Sequence, residues 1–124
     1  MTRSLIAYGG VLAFLAVALG AFGTHGLRDR LSAEMLAVWH TGVEYQMAHA
    51  LAMILAGLAY RQMPQRQIAW AGTLFGAGVI VFSGSLYALA LSGVRVLGAI
   101  TPLGGLCFLA GWLLFVFGAS KASD

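Results

Sequence analysis

The chain has 124 residues, 60% of them hydrophobic and only 9% charged, and its mean hydropathy is +0.89. A soluble domain carries about a quarter charged residues, so this composition belongs to the membrane class, and a chain filled by membrane spans leaves no room for a soluble catalytic domain. The net charge of +3 does not mark a nucleic-acid binder, because its seven basic residues are scattered between apolar runs, where positive charge acts as a topology signal.

A spanning helix consumes about 20 residues, so the chain accommodates four. The first runs from about residue 5 to 22, LIAYGGVLAFLAVALGAF, after Arg3. A charged start before an apolar run also describes a signal peptide, and ALGA supplies small residues for cleavage. We expect this segment to be retained as a span. A polar connection over residues 23–36 follows, with Ser32 as N-cap and Glu34 in the first turn of the next helix. The second span covers about 37–60, and Pro64 in RQMPQR stops it. The third covers about 67–91, and the fourth about 101–119, entered through Thr101 and Pro102. The short SKASD tail only marks the end. No period-2 alternation competes, and only closed helices or barrels satisfy backbone groups in lipid. The expected fold is an all-α, integral-membrane, antiparallel four-helix transmembrane bundle in one domain. Arg3, Arg61, Arg66 and Lys121 fall on one side of it, and Arg28, Arg30 and Arg95 on the other, which favours both termini in the cytoplasm.

Glycines recur at helical spacing. Gly20 and Gly23 lie at the end of the first span with Gly26 just beyond. Gly72 and Gly76 form GTLFG in the third, and Gly104, Gly111 and Gly118 repeat every seven residues in the fourth. Their expected role is close helix packing, since none follows a strand as a nucleotide loop requires. Ser83 and Tyr87 continue the Gly72 and Gly76 stripe.

The polar stretch WHTGVEYQMAH, residues 39–49, sits inside the second span. Trp39 and Tyr60, taken as headgroup-level anchors, place His49 near the bilayer midplane, where an ionisable side chain indicates function or a buried partner. His40 and Glu44 share one face of the helix, with Met47 and Leu51 beneath them. His49 lies about 140° from Glu44, on a stripe with Gly42, Tyr45, Ala52 and Ala56. One straight helix therefore cannot bring all three to a single metal, and an HxxxE pair alone is a weak metal signal. Glu44 either anchors the first connection, with His25, Arg28 or Arg30 folding back as partner, or belongs to a polar path. His49 either bonds a serine, a tyrosine or the Trp112 indole as a neutral ring, or contributes to proton or solute movement. Cys107 stands alone, so neither an internal disulfide nor a CxxC metal site is available.

Four stretches taken together, GAFGTHGL (20–27), YQMAHAL (45–51), FSGSLYALAL (82–91) and GAITPLGGLCFLAGW (98–112), resemble the domain-of-unknown-function 423 family. That family comprises small bacterial inner-membrane proteins and a eukaryotic branch, transmembrane protein 256. The resemblance covers nearly the whole chain and implies a multi-span inner-membrane protein, with no activity, substrate or cofactor to carry over. It picks out His25, Tyr45, Gln46, His49, Ser83, Ser85, Tyr87, Thr101 and Pro102, and leaves His40 outside.

The leading expectation is a non-enzymatic structural or accessory membrane subunit. Its partners would be membrane lipids and either further copies of itself or a larger membrane complex, with no cofactor, metal or nucleic acid. The alternative is a transporter or a proton or ion conduit using His49, Glu44 and the Ser83 to Tyr87 stripe. A third reading is a membrane enzyme acting on a lipid or quinone, with His25 and Arg28 at headgroup level. The sequence contains no Ser/His/Asp order, carboxylate pair or phosphate loop with which to assign a catalytic residue.

Overall fold

The computed structural model describes residues 2–122 and is all-α, so that Ser123 and Asp124 of the SKASD tail lie outside the described residues. Four long helices follow one another: α1 (Thr2–His25), α2 (Ala33–Gln62), α3 (Arg66–Ser92) and α4 (Thr101–Lys121). Ser32 caps α2, its hydroxyl accepting from the Met35 amide at 3.1 Å. Gly93 ends α3 at φ +73°, a left-handed conformation in which a side chain would be strained, and donates its amide to the Leu89 carbonyl at 2.8 Å. A 3-10 turn over Arg95–Ala99 then leads into α4, which has Pro102 in its first turn. Within α3, Val79–Ser83 forms a π-helical turn.

α1, α3 and α4 are each long and apolar enough to cross a membrane. α2 is the longest at 30 residues and the most polar of the four, and it carries the buried Gln46 and His49. It runs antiparallel between α1 and α3. Leu5 at the start of α1 packs against Gly57 late in α2, and Gly20 late in α1 meets Val43. α4 returns antiparallel along α3, with Gly104, Gly111 and Gly118 facing Phe82, Phe75 and Ile68. Added to Gly111, a Cβ would come within 2.7 Å of the Phe75 ring, and on Gly118 within 2.6 Å of Ile68. Close approach of this kind replaces the hydrophobic drive that lipid cannot supply between helices. Gly72 does the same for α3 beneath Leu5 of α1 and Ala56 of α2, and Gly76 beneath Met53 of α2.

Two apolar cores result. One, around Leu5, Met53, Ala56, Ile68, Ala71 and Phe75, lies towards the α2–α3 turn. The other, around Leu27, Trp39 and Ala90, lies under the first connection. Trp39 is therefore no headgroup anchor: it is 2% exposed, and its indole N–H donates to the Leu19 carbonyl of α1 at 2.9 Å. His49 lies near the middle of α2, which is centred between Met47 and Ala48.

Candidate functional site

Between the two cores lies a layer of polar side chains, each joining a pair of helices. Gln46, on the buried face of α2, donates to the Leu12 carbonyl of α1 at 2.8 Å and accepts from the Tyr87 hydroxyl of α3 at 2.6 Å. Ser83, at the end of the π-helical turn, donates to the Gly42 carbonyl of α2 at 2.6 Å. Gly42 leaves room for this approach, since a Cβ there would meet the Tyr87 ring at 2.7 Å. On the other side of α3, the Ser85 hydroxyl donates its one proton to the Phe82 carbonyl at 2.9 Å. The hydroxyl of Thr101 at the start of α4 then donates to Ser85. The face of α3 carrying Gly72, Gly76, Ser83 and Tyr87 is thus turned onto α2, while Ser85, Phe75 and Gly78 serve α4.

His49 joins α2 to α4. The Trp112 indole donates to His49 Nε2 at 3.1 Å, and His49 Nδ1 stands 2.9 Å from the Tyr45 carbonyl. An indole N–H only donates, so Nε2 must accept, the proton must sit on Nδ1, and the ring in this arrangement is neutral. The imidazole stacks on Phe108, with centroids 3.6 Å apart and planes 11° apart, and touches Phe75 and Trp112 at its edges. Around it lies an open cleft of about 540 Å³ lined by Tyr45, Phe82, Phe108, Leu109 and Trp112. Its walls are aromatic and aliphatic and hold no charged side chain. Chemically it is a surface for an acyl chain or another apolar molecule.

The remaining candidates are not brought into this layer. Glu44 lies on the outer face of α2, opposite the buried stripe of Gly42, Gln46, His49 and Met53. None of His25, Arg28 and Arg30 folds back onto it: all four are exposed. The one ion pair among the described residues is Arg95 with Glu34, 3.1 Å apart and exposed at the mouth of the bundle. The first connection is held instead by Leu27, buried against Trp39. Tyr45 was grouped with the buried face, yet it is 43% exposed at the lip of the cleft. No three His, Cys, Asp or Glu side chains gather among the described residues.

Sequence reasoning missed Leu27 and the burial of Trp39. A leucine in the middle of THGLRDR, otherwise without an apolar side chain, was the available signal, and Gly23 beneath Trp39 was the other, since a Cβ there would come within 2.6 Å of the indole.

Comparison with known proteins agrees with this architecture. Residues 19–105 match the family described as "Protein of unknown function (DUF423)". The chain is 47% identical to the UPF0382 membrane protein YwdK of Bacillus subtilis (strain 168), over 96% of this chain and 98% of that one. It is 46% identical to the UPF0382 membrane protein SH2409 of Staphylococcus haemolyticus (strain JCSC1435), over 96% and 97% of the two chains. Against the UPF0382 inner membrane protein YgdD of Escherichia coli (strain K12) the identity is 39%, over 97% and 92%. No solved structure matches. The chain is a multi-helix membrane protein of unknown molecular function, and it belongs to the DUF423 family.

Proposed function

We propose that the chain is a non-enzymatic structural or accessory subunit of the inner membrane, assembled with copies of itself or within a larger complex, with both termini in the cytoplasm. The observation that carries this reading is the use to which the buried polar groups are put. Among the described residues Gln46, His49, Ser83 and Ser85 are the buried polar side chains, and each bonds to a neighbouring helix. Among the described residues no buried side-chain nitrogen or oxygen is without a partner. The bonds also fail to form a relay. From Tyr87 through Gln46 they end on a backbone carbonyl, and His49 is closed on one side by an indole that only donates. A proton path needs groups that both accept and release at each step. The inner-membrane assignment is supported by the name of the Escherichia coli relative. The orientation is supported by Arg3, Arg61, Arg66 and Lys121 on the terminal side against Arg28, Arg30 and Arg95 on the other, where Glu34 holds Arg95.

The test is flux. Purified protein in liposomes loaded with a pH-sensitive dye is expected to leak protons no faster than empty liposomes under an imposed potential. Flux well above that of empty liposomes, abolished by His49→Ala in a variant that still folds, would overturn the reading in favour of a conduit.

A further inference from the structure

We infer that the cleft between α3 and α4, at the end of the bundle where α1 begins and α4 ends, binds one anionic phospholipid, with its phosphate between Arg66 and Lys121. The cleft has a volume of about 420 Å³ and is lined by Gln65, Arg66, Gln67 and Trp70 at the start of α3 and by Leu114 and Lys121 of α4. Helix packing puts the two cations there. Gly118 of α4 lies against Ile68 and Gln67, where a Cβ would meet their side chains at 2.6 and 3.3 Å, so the last turn of α4 is held beside the first turn of α3.

Nothing in the chain neutralises this pair among the described residues. Arg66 and Lys121 are exposed, and the one ion pair, Arg95 with Glu34, is at the opposite end of the bundle. Asp29 and Glu34 belong to that opposite end, and Glu44 lies nearer the start of α2 than its finish. Two cations sharing one cleft repel each other unless an anion lies between them, and basic clefts between helices at a membrane surface suit phosphate headgroups. The ammonium of a zwitterionic headgroup would find no carboxylate here to receive it. The uncharged hydroxyls of a phosphatidylglycerol headgroup would find Gln65 and Gln67, and the Gln65 side chain is not engaged in capping α3.

The order of the lining residues points to a lipid rather than a soluble anion. Trp70 is one turn further into the bundle than Arg66, about 6 Å along α3, and is 55% exposed. Trp39 and Trp112 donate their indole N–H groups to Leu19 and His49, whereas that of Trp70 donates to nothing within the chain. An indole at this level meets the ester carbonyls of a lipid whose phosphate is at Arg66. Leu114, about 10 Å along α4 from Lys121, then faces the acyl chains. Cation, indole and leucine thus follow the order of phosphate, ester and hydrocarbon. A second cleft of about 430 Å³, on the other flank of Arg66 and Trp70, is lined by Tyr60, Pro64, Ala69 and Thr73 and lacks the second cation. Arg3 and Arg61 share this end of the bundle but do not line the phosphate cleft, so a topology signal accounts for their charge without accounting for the Arg66 and Lys121 pair. The inference goes beyond the structural-subunit reading and does not depend on it.

The test uses the full chain, purified in detergent micelles and stripped of lipid, with bound lipid counted by native mass spectrometry. Phosphatidylglycerol is expected to bind about tenfold more tightly than phosphatidylethanolamine with the same acyl chains, and to saturate at one tightly held lipid per chain. Arg66→Gln and Lys121→Gln are each expected to weaken phosphatidylglycerol about fivefold and to leave phosphatidylethanolamine nearly unchanged, while Arg66→Lys stays within about twofold of the original. Both side chains are exposed and outside every ion pair among the described residues, so these variants are expected to fold, which circular dichroism checks. Arg3→Gln and Arg61→Gln remove the same charge from the same end but outside the cleft, and are expected to change neither lipid. Equal losses from Arg3, Arg61, Arg66 and Lys121 variants would mean diffuse attraction to the whole end and would overturn the site. Equal binding of the two lipids would overturn it as well. Displacement of phosphatidylglycerol by millimolar inorganic phosphate or glycerol phosphate would make a soluble anion the ligand and overturn the lipid assignment. None of these outcomes touches the structural-subunit reading, and proton flux would overturn that reading while leaving the lipid site standing.

Discussion

Replacing His49 with alanine removes the one side-chain hydrogen bond that joins α2 to α4 among the described residues, together with the ring that stacks on Phe108. The bond contributes about 0.6–1.7 kcal/mol, the range measured between membrane helices. The lost ring contacts and the residual gap beneath Phe108 and Phe75 add roughly 2 kcal/mol, at the low end for large-to-small changes because the site opens onto a cleft that can relax. His49→Ala is therefore expected to cost about 3 kcal/mol, and Trp112→Phe, which deletes the donor together with part of the ring system that packs on Phe75, about 2 kcal/mol. The two are coupled: with His49 gone, removing the indole N–H no longer breaks anything. The double variant should therefore fall short of additivity by about 1 kcal/mol. The assay is reversible unfolding in mixed micelles, monitored by tryptophan fluorescence and circular dichroism, with all four proteins measured side by side. Coupling below about 0.3 kcal/mol, the additivity expected of independent sites, would refute the claim that the indole donates to His49 Nε2. A His49→Ala protein as stable as the original would refute the wider claim that the residue holds α2 to α4.

Four further outcomes follow from the packing and the buried hydrogen bonds. Gly111→Ala, whose new methyl would meet Phe75 at 2.7 Å and lies 3.3 Å from the Ala71 carbonyl, is expected to lose about 1–3 kcal/mol in the same assay. Gly84→Ala, with open space around it on α3, is expected to be neutral or to gain up to about 1 kcal/mol from better helix propensity. Leu27→Ala is expected to cost about 2–3 kcal/mol and to make the first connection sensitive to protease, whereas Arg28→Ala next to it stays within about 0.5 kcal/mol of the original. Gln46→Leu strands the Tyr87 hydroxyl that it accepts from and is expected to cost about 2 kcal/mol, part of which Tyr87→Phe restores in the double variant.

Helix order and fold class were legible because composition and apolar run length are properties of each segment alone. Ser32 as a cap and Pro102 in the first turn of α4 were legible for the same reason: their effect is local. What depends on a second helix was read less evenly. The seven-residue repeat of Gly104, Gly111 and Gly118 identifies a packing face but not its partner, which the structure gives as α3. The angular separation of Glu44 from His49 was correct from helix geometry, and His49 bonding the Trp112 indole was among the alternatives it left open. The error at Trp39 came from treating an aromatic near a helix end as an interface residue. A tryptophan there is equally suited to a core if a glycine opposite makes space and a carbonyl takes its N–H, and Gly23 and Leu19 provide both. Glu44 was expected either to anchor the first connection or to join a polar path, and it does neither: it stands exposed on the outer face of α2 and outside every ion pair among the described residues.

These assignments explain why the most polar helix is also the most central. Between helices in lipid there is little hydrophobic drive, because a leucine facing a leucine differs little from one facing an acyl chain. A bundle of apolar helices could therefore slide by a turn at small cost. α2 prevents this by reaching three neighbours with directional bonds at fixed levels: Trp39 and Gln46 to carbonyls of α1, Gln46 and the Gly42 carbonyl to α3, and His49 to α4. Two of the acceptors in this set are backbone carbonyls of α1, at Leu12 and Leu19, seven residues apart. Their donors on α2, Gln46 and Trp39, are also seven apart in the opposite sense, so one antiparallel register satisfies both bonds and a one-turn slip breaks both. The polarity of α2 that lowers its hydropathy below that of its neighbours is therefore what fixes the register of the other three helices.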